Sequence, residues 1–128
     1  MVSEAVTHKF RVQVKACFLT DHSDIERRKY LWAYNIRITN EGDTHATLVS
    51  RHWIITDARD RVEEVRGPGV VGKQPRIQPG ETFEYTSMCP LTTPCGTMRG
   101  HYHMRGDDGI PFTVDISTFE LFVPALAN

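Results

Sequence analysis

An all-β, antiparallel sandwich of seven to eight short strands is the fold this sequence predicts. Three observations carry that reading. Apolar residues recur at every second position along most of the chain, the period of a half-buried strand. Turn signals such as Asn40-Glu41-Gly42-Asp43 and Asp57-Ala58-Arg59-Asp60 punctuate it frequently. No stretch carries a convincing 3.6-residue period, so helices have no part in the architecture.

The elements follow in order. Phe10, Val12, Val14, Ala16 and Phe18 share one face of a first strand, with Arg11, Gln13, Lys15 and Cys17 opposite. Asp21 to Lys29 is a charged connection. Tyr30, Trp32, Tyr34, Ile36 and Ile38 line a second strand, and the stripe reads as core rather than as a platform for stacked bases. Ala46 to Thr56 is apolar on both faces in places, as in a more buried strand. Val62 to Val65 is short. Gly67 to Gly80 is a long glycine-proline connection. Phe83, Tyr85 and Ser87 alternate in the next strand, which Pro90 and Pro94 are expected to break. Met98, Gly100, Tyr102 and Met104 face one way, and Thr97, Arg99, His101, His103 and Arg105 the other. Gly106-Asp107-Asp108-Gly109 reads as a hairpin turn. Phe112, Val114 and Ile116 follow, then Phe119, Leu121 and Val123 as a last strand.

A chain of 128 residues suits one domain, 1–128, with an ordered core over about 6–124. The formal net charge of −1 gives no global field for nucleic acid. Locally, Arg59, Arg61, Arg66, Lys73 and Arg76 are interleaved with Asp57, Asp60, Glu63 and Glu64, which leaves little steering of phosphates. No apolar run approaches the roughly 20 residues that span a bilayer, so membrane insertion is not expected. The first seven residues lack the basic and apolar regions of a secretion signal, and three cysteines without a C-x-x-C suit free thiols; a cytoplasmic protein is expected.

The spacing Gly67-x-Gly69-x-x-Gly72 matches a dinucleotide fingerprint, which needs a helix opening at the third glycine. Pro75 and Pro79-Gly80 forbid that helix, and Pro68 removes one N–H from the cradle. The remaining readings are a strand-to-strand turn at positive φ, or a looser anion nest. The nest would use Gly67, Gly69, Val70, Val71 and Gly72, with charge from Lys73 and Arg76.

His101 and His103, two apart on a strand, point to one face and could begin a cobalt or zinc site. A third ligand from Cys17, Cys95 or His52 would have to be supplied by folding; the plainer reading is surface histidines. Asp21, Asp24 and Glu26 lack the pattern of a calcium loop and read as solvated. Cys95 has no activating base fixed by sequence, and Ser87 lacks a nucleophile elbow, so no catalytic residue is assigned and the protein is read as a non-enzyme.

From Val65 to Tyr102 the chain resembles the ApaG family. The matching residues are Val65-x-Gly67-x-Gly69-Val70-Val71-Gly72-x-Gln74-Pro75, then Pro79-Gly80-x-x-Phe83-x-Tyr85-Thr86-Ser87, then Leu91-x-Thr93-Pro94-x-Gly96-x-Met98-x-Gly100-x-Tyr102-x-Met104. Arg51-His52-Trp53-Ile54-Ile55-Thr56-Asp57 and Phe119-x-Leu121 match as well. Met88-Cys89-Pro90 departs from a turn that often holds glycine. The resemblance implies a fibronectin type III-like (immunoglobulin-like) sandwich. It also implies a link to cobalt and magnesium efflux, which a chain with no spanning segment would exert only through a partner. In eukaryotes similar domains sit in F-box proteins and in a protein that interacts with DNA polymerase delta. The expected function is therefore an interaction module for a protein partner, with the Gly67–Gly80 connection and its neighbouring strand edge as the surface. Alternatives are a phosphate or nucleotide sensor built on residues 67–73, and a soluble divalent-cation handler. An edge strand also offers a route to a homodimer.

Overall fold

The computed structural model describes residues 2–124. The expected antiparallel sandwich is what forms. One sheet has the order β1 (Val2–Thr7), β2 (Phe10–Phe18), β3 (Tyr30–Asn40), β7 (Thr82–Leu91). The second has the order β5 (Val62–Pro68), β4 (Ala46–Asp57), β8 (Cys95–Gly106), β9 (Pro111–Phe122), and the two-residue β6 (Arg76–Ile77) also pairs with β4. Short 3₁₀ turns at Thr20–His22 and Ile25–Arg27 fill the charged connection, where the Asp24 carboxylate accepts from the Arg27 amide. None of the helical turns is long or apolar enough to cross a membrane.

The alternating residues place the core where their pattern directs it. Val12, Val14, Trp32, Ile36, Ile38, Tyr102 and Met104 are all nearly or wholly buried. Side-chain bonds cross between the sheets, two of them from core aromatics. The Trp32 indole N–H donates to the Phe122 carbonyl at 2.9 Å, and the hydroxyls of Tyr85 and Tyr102 meet at 2.5 Å.

Four features differ from the expectations. First, β1 precedes the first expected strand, so the ordered sandwich reaches back to Val2. Its pattern is inverted: Val2 and Val6 are exposed, while the smaller Ser3, Ala5 and Thr7 face inward. Alternation of hydrophobicity does not reveal such a strand. Second, β7 continues through Pro90 to Leu91. It pairs only with β3, so a residue without an N–H is tolerated on the free side. Third, the two last expected strands are one, β9. Met98 pairs with Phe119 and Gly100 with Ile116, so Ser117 and Thr118 bulge opposite Arg99. That extra residue moves the inward phase from Ile116 to Phe119.

Fourth, β4 has its own bulge. The register against β8 shifts between Leu48 and Ser50. Beyond it Arg51 pairs with buried Tyr102, and His52 pairs with His101. A one-residue shift exchanges the faces of a strand. Arg51 and Trp53 therefore turn inward where uninterrupted alternation from Leu48 would bring in Ser50 and His52.

The two flanks of the sandwich are unlike. On one, β1 and β9 cover each other: Ser3 Oγ donates to the Ser117 carbonyl at 3.2 Å, and Thr7 Oγ1 accepts from the Asp115 amide at 3.1 Å. On the other, β5 and β7 are the outermost strands of their sheets.

Candidate functional site

The glycine-rich connection is built around the β4 bulge. The Val49 carbonyl accepts from the Gly69 amide and from the Gln74 side chain, both at 2.8 Å, and the Leu48 amide donates to Pro75 O at 2.9 Å. β5 and β6 are thus two parts of one edge alongside β4, with residues 69–75 looped out where β4 bulges. Val70 and Lys73 exchange backbone hydrogen bonds at 2.8 and 2.9 Å, closing the loop on itself. Val70 is 1% exposed and plugs the core, whereas Val71 projects into solvent.

Each glycine of the motif now has a physical reason. A Cβ on Gly67 would lie 3.0 Å from both terminal nitrogens of Arg51. Gly67 thus leaves room for that guanidinium. Gly69 has φ 59°, and a Cβ there would fall 2.1 Å from the Lys73 carbonyl oxygen. Gly72 takes φ 78° at the turn. No helix follows Gly72. The motif shapes a turn that seats an arginine.

Of the expected anion nest, the amides of Gly69, Val70 and Lys73 are already engaged by carbonyls. Arg76 forms an ion pair with Asp107, so its charge is matched. The Lys73 side chain and Val71 and Gly72 remain exposed at the tip. Of the neighbouring basic residues, Arg61 pairs with Asp57 at 2.7 Å and Arg66 with Glu64 at 3.6 Å.

Arg51 was not among the expected site residues, because only the bulge turns it inward. Its one sequence signal is a charged residue within a strand that is apolar on both faces. Its Nη1 donates to the carbonyls of Pro68 and Gly69, each at 3.0 Å. No ion pair to a carboxylate forms at Arg51 among the described residues. It lines a cavity of about 350 Å³ together with Tyr34, Trp53, Tyr85, Ser87 and the loop from Pro68 to Gly72. Burial raises the pKa of both Tyr34 and Tyr85.

A second cavity of about 410 Å³ opens on the same flank, lined by Arg28, Lys29, Asp57, Glu63, Leu91 and their neighbours. It lies where Arg61 Nη2 reaches Thr92 Oγ1 at 3.0 Å. The cavities thus mark the two ends of the open flank, with Cys89 buried between the sheets.

On the outer face of the second sheet, folding brings His52 beside the expected pair. The ring centroids of His52 and His101 are 5.0 Å apart, and those of His101 and His103 4.8 Å. His52 Nε2 is engaged by Glu64 at 2.8 Å. Cys17 lies in the other sheet and Cys95 at the first residue of β8. No group of three or more His, Cys, Asp or Glu side chains among the described residues is arranged to hold a metal ion.

The crowding has a pH consequence. Burial, then His103 and His52, hold His101 below its ordinary value, against the pull of Asp115 and with Arg66 adding to the depression. The unfolded chain takes up this proton near pH 6.5, while the folded chain still resists it. The contribution of His101 to stability is therefore flat above about pH 6.5 and falls as pH drops through that value toward the lower folded one. Urea midpoints are expected to decline from pH 7.5 to 5.5, and to decline less in His101→Gln. Equal declines in both proteins would refute the assignment.

A family model described as the ApaG domain matches residues 20–106. Protein ApaG of Bordetella pertussis is 57% identical over 113 residues, covering 88% of this chain and 86% of that protein. Protein ApaG of Mesorhizobium japonicum is 51% identical over 120 residues, covering 94% and 92%. A crystal structure of an ApaA protein from Bordetella pertussis superposes with a TM-score of 0.88 at 56% identity, covering 90% of this chain and 94% of that one.

Proposed function

The chain belongs to the ApaG domain family, and from that premise we propose that it is a non-enzymatic module that takes an extended segment of a protein partner along the flank between β5 and β7. The observation that supports this is the asymmetry of the sandwich. The β1 and β9 edges cover each other, while β5 and β7 are each outermost in their sheets. An outermost strand presents unpaired N–H and C=O groups that a segment can pair with, and pockets beside it select side chains. Pro68 and Pro90 stand toward opposite ends of the flank, leaving the intervening stretches of both edges free to pair. The thiol on this flank, Cys89, is pushed up to about 12 by burial and then by Glu63, so it serves as packing rather than as a nucleophile.

The test is photo-crosslinking in cells from single positions. A photoreactive residue at Glu63 or Thr92, both exposed on the flank, is expected to trap one discrete protein adduct. The same residue at Lys15, exposed on the outer face of β2, should trap none. Adducts that are equally abundant from all three positions, or absent from Glu63 and Thr92, would overturn the proposal.

A further inference from the structure

We propose that the cavity at Arg51 is a carboxylate-binding site, in which the guanidinium and the surrounding hydroxyls receive one carboxylate. The first argument is charge. Arg51 is half-buried, its guanidinium is held by two neutral carbonyls, and no carboxylate of the described residues pairs with it. A cation that has lost part of its hydration gains from an anionic partner, and guanidinium geometry matches a carboxylate in a two-point contact.

The second argument is the count of hydrogen-bond donors. Tyr102 is wholly buried, and among the described residues its hydroxyl bonds only to that of Tyr85. Its proton therefore goes to Tyr85, and the Tyr85 proton is left to point elsewhere. Tyr85 lines the cavity. Tyr34 and Ser87 line the same cavity, and each hydroxyl carries a proton to donate. The cavity is thus lined by hydroxyl protons and by the guanidinium N–H groups of Arg51. An ionised carboxylate is acceptor-only, so it satisfies these groups without adding a donor.

The third argument distinguishes anions. Arg51 is the one cation among the residues that line the cavity, Lys73 lying outside that lining, and one cation balances one negative charge. A phosphate near neutrality carries more, and the other nearby guanidinium, Arg76, is already paired with Asp107. The bulge at Val49 and the room at Gly67 both serve to bring Arg51 into place. The site stands independently of whether the flank binds a protein, since a small acid tests it alone.

The test is an amide NMR titration of the full chain at constant ionic strength. The probes are sodium acetate, sodium phosphate, and tetra-alanine with a free or an amidated C-terminus. Acetate and the free-acid peptide are expected to give saturable shifts at Val71, Gly72 and Ser87, and the amidated peptide none. Equal affinity for acetate and peptide would assign the site to small acids. Tighter peptide binding, with shifts spreading along β7, would assign it to a chain terminus. Arg51→Gln should weaken binding by about tenfold or more. Ser87→Ala, a smaller change at the same wall, should weaken it by about threefold with the spectrum otherwise retained. Saturation by phosphate alone, no saturation by any probe, or unchanged affinity in folded Ser87→Ala and Arg51→Gln would overturn the proposal.

Discussion

Replacing Gly100 by alanine should destabilise the protein by about 3 kcal/mol. Gly100 sits in β8, between β4 and β9, opposite Trp53. A Cβ there would lie 2.1 Å from the carbonyl oxygen of His52 and 3.2 Å from the Cα of Trp53. Both are backbone atoms of the adjoining strand, so no side chain can swing aside. Relief requires β4 to move away from β8, which would loosen their ladder and shift Trp53. The same residue borders the bulge that sets the phase of β9. Urea unfolding measures the loss as a fall in midpoint. A cost below about 1 kcal/mol would mean that β4 yields readily there, contrary to the close packing seen.

The second large effect belongs to Trp32. Its side chain is 1% exposed, with Phe18 and Tyr30 at ring distances of 5.4 and 6.3 Å. Trp32→Ala removes this contact area and leaves a cavity, at an expected cost of about 3–5 kcal/mol. Trp32→Phe keeps much of the ring but removes the N–H that donates to Phe122 O. It should cost about 1–2 kcal/mol, the lower part of the range for a carbonyl left without its donor, because this bond is only partly buried. The gap between the two variants separates burial from the hydrogen bond. Equal costs would show that the bond across the sheets dominates. A cost below about 2 kcal/mol for Trp32→Ala would show that the site closes around the loss.

Much of this architecture is legible in the sequence because buried and solvated faces alternate. β2, β3 and β8 turn inward the residues that their alternation selects, and Gly106–Gly109 makes the hairpin between β8 and β9, with the Gly106 amide donating to Ile110 O at 3.0 Å. The failures share one cause. Alternation assumes an unbroken register and large residues inside. β1 turns small residues inward, so its pattern reads backwards. The bulges at Val49 and at Ser117-Thr118 insert one residue each, and a single insertion exchanges faces for everything beyond it. For that reason Arg51 was invisible as a cavity residue while His101 and His103 were readable as a surface pair. The glycine motif drew attention to the neighbourhood of the cavity. Its spacing suggested backbone amides around phosphate, but most of those amides bond within the protein, and the side chain that the loop accommodates comes from another strand.

The seam between β1 and β9 bears on how the chain folds. Its two side-chain bonds join residues 114 and 108 positions apart. Contacts so distant carry a high loop-closure cost and form late unless other structure has already brought the ends together. Here the hairpins β1–β2, β2–β3 and β8–β9 can each assemble from near neighbours. During synthesis the seam has to wait for β9 to leave the ribosome, and until then the first sheet keeps both of its edges bare. Cooperative locking of the sandwich therefore belongs to the last step of folding, on the flank opposite the one left free in the finished molecule.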